Sequence, residues 1–151
     1  MGWRLRPITA RRGPPGIRRT PAVRVLLDTQ VWLWMLEDPD RLSAGGRVIL
    51  QDPTWDLLFS AASAWEIAIK VGLGKLELPG PADVVVPQMM EHSRVAPLPV
   101  LHTHALRVAQ LPPHHRDPFD RLLVAQAQME KVPIMTADPK LAHYGIEVMS
   151  P

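Results

Sequence analysis

The chain has 151 residues, 46% of them hydrophobic, with no cysteine and a formal charge of +2. That length suits one domain with its own core, and the lack of thiols excludes a disulfide framework and a thiolate metal site, so any metal must be held by oxygen or imidazole. No apolar run approaches the roughly 18 residues of a membrane span, and no apolar stretch of the kind a secretory signal needs follows the basic amino terminus, so a cytoplasmic protein is expected.

The charge is unevenly distributed. All seven basic residues before Val25 are arginines with no acid among them, whereas residues 25–151 carry ten basic and fifteen acidic residues, a net charge of −5. Residues 1–22, rich in Arg, Pro and Gly, read as a disordered basic extension, because they hold too little apolar surface to fold. Their arginines suit phosphate neutralisation. An upstream translation start is the simpler account, with the natural start downstream, and a transit peptide is a further one. The folded domain is expected over 23–151.

From Val23 onward, short apolar runs alternate with helix-period segments, the pattern of an α/β domain around a mostly parallel sheet. In chain order, VRVLL (23–27) reads as a strand, followed by helices near 29–37 and 43–51 and a strand at DLLF (56–59). Helices near 61–71 and 82–93 come next, then a weak strand at VAPL (95–98) and helices near 103–110 and 118–130. VPIMT (132–136) and IEVM (146–149) close the set as strands. Trp32, Trp34 and Trp65 sit among apolar neighbours and are expected to pack in the core. The segment VGLGKL (71–76) fails the phosphate-loop pattern, because Ile69 stands at its first glycine and Leu76 at its final hydroxyl, so its glycines are read as helix terminators. His102, His104, His114 and His115 lack the i,i+4 spacing of a helical zinc site and are read as solvated loop residues.

Four acids stand where parallel sheets place their chemistry, at or near the carboxyl ends of strands. Asp28 ends the first strand, Asp138 follows the fourth long run, Asp120 opens the helix FDRLLVAQAQM, and Glu66 lies inside SAASAWEIAIK. Carboxylates from separate segments form a hard, oxygen-rich set suited to Mg²⁺ or Mn²⁺. Helix capping accounts equally well for Asp28, Asp117 and Asp138, the last two followed by prolines at the first helical position. Glu66 is different, since no cap explains it; the plain alternative is an exposed i,i+4 pair with Lys70. Thr29, Ser63 and Thr136 lie beside the acids and could orient a carboxylate or a water. Around Asp117 and Asp120, His114, His115, Arg116 and Arg121 are placed to engage an RNA phosphate.

Together, RVLLDTQVWLWML, LLFSAASAWEIAIKVGLGKLEL, LPPHHRDPFDRLLVAQA and PIMTADPKLAHYGIEV resemble, in order, the blocks of the PIN-domain VapC toxin family over about residues 23–150. The resemblance implies a three-layer α/β/α fold and a metal-dependent endoribonuclease, the toxin of a type II toxin–antitoxin system. It implies Mg²⁺ or Mn²⁺ held by Asp28, Glu66, Asp120 and Asp138, with Asp117 as a fifth acid, and phosphodiester hydrolysis of RNA. A homodimer and a small cognate VapB-like antitoxin are implied as partners. Two departures stand out: Gln30, where histidine is common in the family, and the basic extension. Two other readings remain open, an acid-pocket phosphatase and a non-catalytic PIN scaffold that binds RNA or antitoxin. The first would want an aspartate at Gln30 in the best-known case, and the second would be marked by a missing acid.

Overall fold

The computed structural model describes residues 23–151; the expected disordered extension lies outside the described residues. Five strands, β1 (Val23–Leu27), β2 (Trp55–Ser60), β3 (Ala96–Leu98), β4 (Ile134–Met135) and β5 (Val148–Met149), form one sheet in the order β3-β2-β1-β4-β5, with every neighbouring pair parallel. Six α-helices connect them: α1 (Thr29–Glu37), α2 (Ala44–Gln51), α3 (Ala61–Gly72), α4 (Ala82–Ser93), α5 (His102–Arg107) and α6 (Pro118–Glu130). Short 3-10 turns add Pro39–Arg41, Val108–Gln110 and Pro139–Tyr144.

Side chains alternate across a strand, and the alternation divides the core in two. Val25 and Leu27 of β1, Leu57 and Phe59 of β2 and Met135 of β4 meet Trp32, Leu36, Leu50, Val85 and Met89 from α1, α2 and α4. Leu26, Leu58 and Ile134 occupy the opposite face, under Leu123, Val124 and Ala127 of α6 and Leu141 and Tyr144 of the last 3-10 turn. Helices therefore cover both faces of the sheet, giving three α/β/α layers. Helix α3 bridges the two cores, with Ile67 in the first and Ala62 in the second.

The expected elements are present, with boundaries shifted for local reasons. The run VPIMT pairs as a strand only at Ile134 and Met135. Pro133 has no N–H to give to β5, and the Thr136 hydroxyl already accepts from the Asp138 amide at 3.1 Å as the chain turns away. The helix expected over 103–110 is α-helical only to Arg107 and tightens into the 3-10 turn Val108–Gln110.

Two expectations are corrected. Trp32 is fully buried against Phe59, 4.2 Å between ring centroids, and Trp34 is partly buried, but Trp65 is 59% exposed. His104 is not solvated: it is 1% exposed, accepts at Nδ1 from the Leu101 amide at 3.0 Å and meets the Glu130 carboxylate through Nε2 at 3.1 Å.

The glycine of Leu73-Gly74-Lys75 does end α3, as expected. Gly74 has φ +69°, the Lys75 amide reaches back to the Lys70 carbonyl at 2.8 Å, and the Gly74 amide reaches Val71 at 3.1 Å. These are the paired hydrogen bonds of a Schellman cap. A Cβ at this position meets nothing within 4 Å, so Gly74→Ala tests backbone strain alone. It is expected to cost about 1 kcal/mol in a denaturant titration, with no change at the site described next.

Candidate active site

The strand order reverses at β1, where the chain moves outward through β2 and β3 and later returns to β4 on the other side. Parallel sheets form their binding crevice at the carboxyl ends of strands flanking such a point. Asp28 leaves β1 there and caps α1, accepting from the Gln30 amide at 3.4 Å through Oδ1. Its other oxygen accepts from the Thr136 hydroxyl, just beyond β4, at 2.7 Å. Because Thr136 also caps the Asp138 amide, one hydroxyl ties the two strand-end acids together.

Helix α3 supplies the third acid. The Thr29 hydroxyl donates to Ser63 at 2.8 Å in a buried contact, docking the start of α1 on α3. Three residues on, the Glu66 side chain is only 12% exposed; Oε1 lies 3.5 Å from the Lys70 ammonium, while Oε2 is buried with no partner among the described residues. The i,i+4 pair foreseen from spacing therefore exists, but it satisfies only one oxygen of a largely buried carboxylate. Helix α6 brings Asp117, whose Oδ1 accepts from the Phe119 and Asp120 amides at 2.8 and 3.1 Å, and Asp120 itself in the first turn.

Electrostatics link these acids. Burial pushes the Asp28 carboxyl above its ordinary range, partly countered by the Thr136 hydrogen bond. Burial also raises Glu66, Lys70 lowers it, and the charges of Asp28 and Asp117 raise it further. Asp120 is pushed up to about 7, first by burial and then by Asp117, Asp28 and Glu66. Asp138 goes the other way, held down chiefly by a hydrogen bond with His115, whose Nε2 lies 2.8 Å from Oδ2. Asp120 is the junction: its carboxylate also lies with His115 and Asp138 in a group whose ligand atoms are all within 4.8 Å of one another. A set of crowded acids with an orphaned buried oxygen fits a hard divalent cation, which would offset both repulsion and desolvation.

The PIN domain family model matches residues 25–147. The chain belongs to the PIN-domain family. A 58-residue segment, 38% of the chain, is 50% identical to Ribonuclease VapC16 of Mycobacterium tuberculosis, and that match spans 41% of the relative's length. By structure, the PIN domain is similar to VapBC2 from Rickettsia felis bound to a promoter DNA fragment, at a TM-score of 0.62 and 12% identity over 84% of this chain and 98% of that one. A toxin–antitoxin complex from Klebsiella pneumoniae matches at a TM-score of 0.56 and 15% identity, over 84% and 97% of the two chains. At these identities the two structures speak to the fold alone.

Within this PIN domain, all four principal acids and Asp117 fall at one end of the sheet. The other expected site residues divide. Thr29, Ser63 and Thr136 are buried and hydrogen-bonded among the acids or the helices that carry them. His114 and Arg116 are exposed. Arg121, expected at a phosphate, has another occupation: its guanidinium donates to the carbonyls of Val108, Leu111, Pro112 and His115 at 3.0–3.4 Å, pinning the loop before α6. His115, also expected at a phosphate, is turned onto Asp138 with its side chain 11% exposed. Tyr144 was not foreseen; its hydroxyl accepts from the His115 amide at 2.7 Å across 29 residues of sequence.

Proposed function

We propose that the chain is a Mg²⁺- or Mn²⁺-dependent endoribonuclease, the toxin of a VapBC-type system, that hydrolyses RNA phosphodiesters. The observation that carries this reading is the crowding of acids from three separate segments: beyond burial, the charges of Asp28 and Asp117 raise the proton affinity of Glu66, and those of Asp117, Asp28 and Glu66 raise that of Asp120. Asp28, Glu66, Asp120 and Asp138 would hold the cation, with Asp117 beside them. Bound there, the cation supplies charge neutralisation and Lewis acidity at a phosphodiester. Thr136 orients Asp28, His115 orients Asp138, and the Thr29–Ser63 contact sets Glu66 against them. The proton that Asp120 retains near neutral pH must leave as the cation binds, so cation affinity should weaken as pH falls. His114 and Arg116, exposed on the loop before α6, are the side chains free to meet RNA phosphates.

The toxin assignment draws on the VapC16 match, and a small antitoxin is proposed by likeness to the Klebsiella complex. Trp65 and Ile69 on α3 and Leu73 at its carboxyl cap recur every fourth residue and remain exposed, an apolar stripe that suits a homodimer.

Purified protein incubated with structured RNA and with a phosphomonoester separates the readings. RNA cleavage with no phosphate release from the monoester is the expected result. Release from the monoester alone would favour a phosphatase, and RNA binding without cleavage a non-catalytic scaffold. Growth arrest on expression, relieved by the neighbouring small gene product, is expected for a toxin.

A further inference from the structure

We propose that His115 contributes an imidazole nitrogen to the cation, beside carboxylate oxygens of Asp120 and Asp138, so that the site favours first-row transition-metal ions over Mg²⁺. This rests on the metal-site reading above and deepens it. The first support is distance. Ligand atoms of His115, Asp120 and Asp138 lie within 4.8 Å of one another, and His115 Nε2 is 2.8 Å from Asp138 Oδ2. In an octahedral shell with bonds near ~2.1 Å, neighbouring donors stand ~3 Å apart and opposite donors a little over ~4 Å. The trio therefore needs only small closing movements to share one ion.

The second support is how the residue is held. The His115 amide donates to the Tyr144 hydroxyl at 2.7 Å, its carbonyl accepts from Arg121 at 3.4 Å, and its ring packs on Tyr144 with centroids 5.7 Å apart. A histidine meant to meet a substrate phosphate would be exposed, as its neighbour His114 is. His115 is instead largely covered and is anchored at both backbone groups, the preorganisation a ligand needs.

The third support is donor chemistry. Nε2, the ring nitrogen that faces Asp138, adds a borderline nitrogen donor to two hard carboxylates. Hard Mg²⁺ prefers an all-oxygen shell, whereas affinity for nitrogen donors rises through the first-row transition ions.

The test uses the whole chain loaded with Mn²⁺ and read by pulsed electron paramagnetic resonance for ¹⁴N coupling, with Mn²⁺ and Mg²⁺ affinities measured by calorimetry. Wild type should show a directly bound nitrogen. In His115→Gln that coupling should vanish, with Mn²⁺ affinity down about tenfold or more and Mg²⁺ affinity changed by less than about threefold. Absence of nitrogen coupling in wild type, a reading that needs no variant, would overturn the proposal. So would equal losses for both ions, which would reduce His115 to a residue that orients Asp138. Nitrogen-coupled Mn²⁺ in a protein that cleaves no RNA would sustain this inference and defeat the ribonuclease reading, while failure to bind Mn²⁺ at all would defeat both.

Discussion

Glu66→Gln is expected to lower RNA cleavage on the order of 10²-fold or more while leaving the metal-free protein as stable as wild type, or more so. The substitution keeps shape and helix propensity but removes one negative charge from the cation's surroundings. Loss of a single preorganised electrostatic group in a closed site commonly costs this much. The stability arm follows from the raised proton affinity of Glu66, which means that its ionised form is disfavoured in the fold. Gln relieves that burial and the repulsion from Asp28 and Asp117; the lost contact with half-exposed Lys70, at 3.5 Å, is a small offset. Cleavage at saturating Mn²⁺ and melting temperature in chelator read the two arms. Unchanged cleavage with a slightly lower melting temperature would mean that Glu66 serves only its pair with Lys70.

Asp120→Asn should stabilise the metal-free protein increasingly as pH rises through about 7. Asp120 has a folded-state proton affinity of about 7 against an ordinary 3.8, so it favours the fold while protonated. Its contribution is fully present below the unfolded value and is lost as pH climbs through the folded one. Asparagine cannot ionise and escapes that loss. Because the side chain is partly solvated, the full shift overstates the effect, and a gain of about 1–2 kcal/mol at pH 8 over pH 5 is the reasonable size after screening. Denaturant titrations of both proteins in chelator at the two pH values measure it. A stability difference that is flat with pH would show that neither burial nor its acidic neighbours raise the proton affinity of Asp120. Saturating divalent cation should abolish the gain, since it holds Asp120 ionised in wild type.

Much of this was legible because it lies on single elements. The short apolar runs marked β1 and β2, and acids at or just beyond strand ends placed Asp28 and Asp138 at the carboxyl edge. Glu66 stood out because no helix cap explains a carboxylate in the middle of an apolar helix, and its pair with Lys70 satisfies only one of its oxygens. What could not be read depends on tertiary closure. Helix α3 is apolar nearly all round, so its periodicity does not say which face is buried, and Trp65 was assigned to the wrong side. His104 lies 26 residues from Glu130 and His115 lies 29 from Tyr144, with no spacing rule to join either pair. Arg121 looked like a phosphate ligand because nothing in the sequence reveals that the loop before α6 leaves four carbonyls in need of a donor.

The most direct test of the central claim is RNA cleavage by purified protein stripped of metal with chelator and then reloaded. Cleavage should be absent after stripping, return with Mn²⁺ or Mg²⁺, and be absent under every condition in Asp28→Asn prepared in the same way. Cleavage that persists in chelator, or that Asp28→Asn retains in full, would contradict the account.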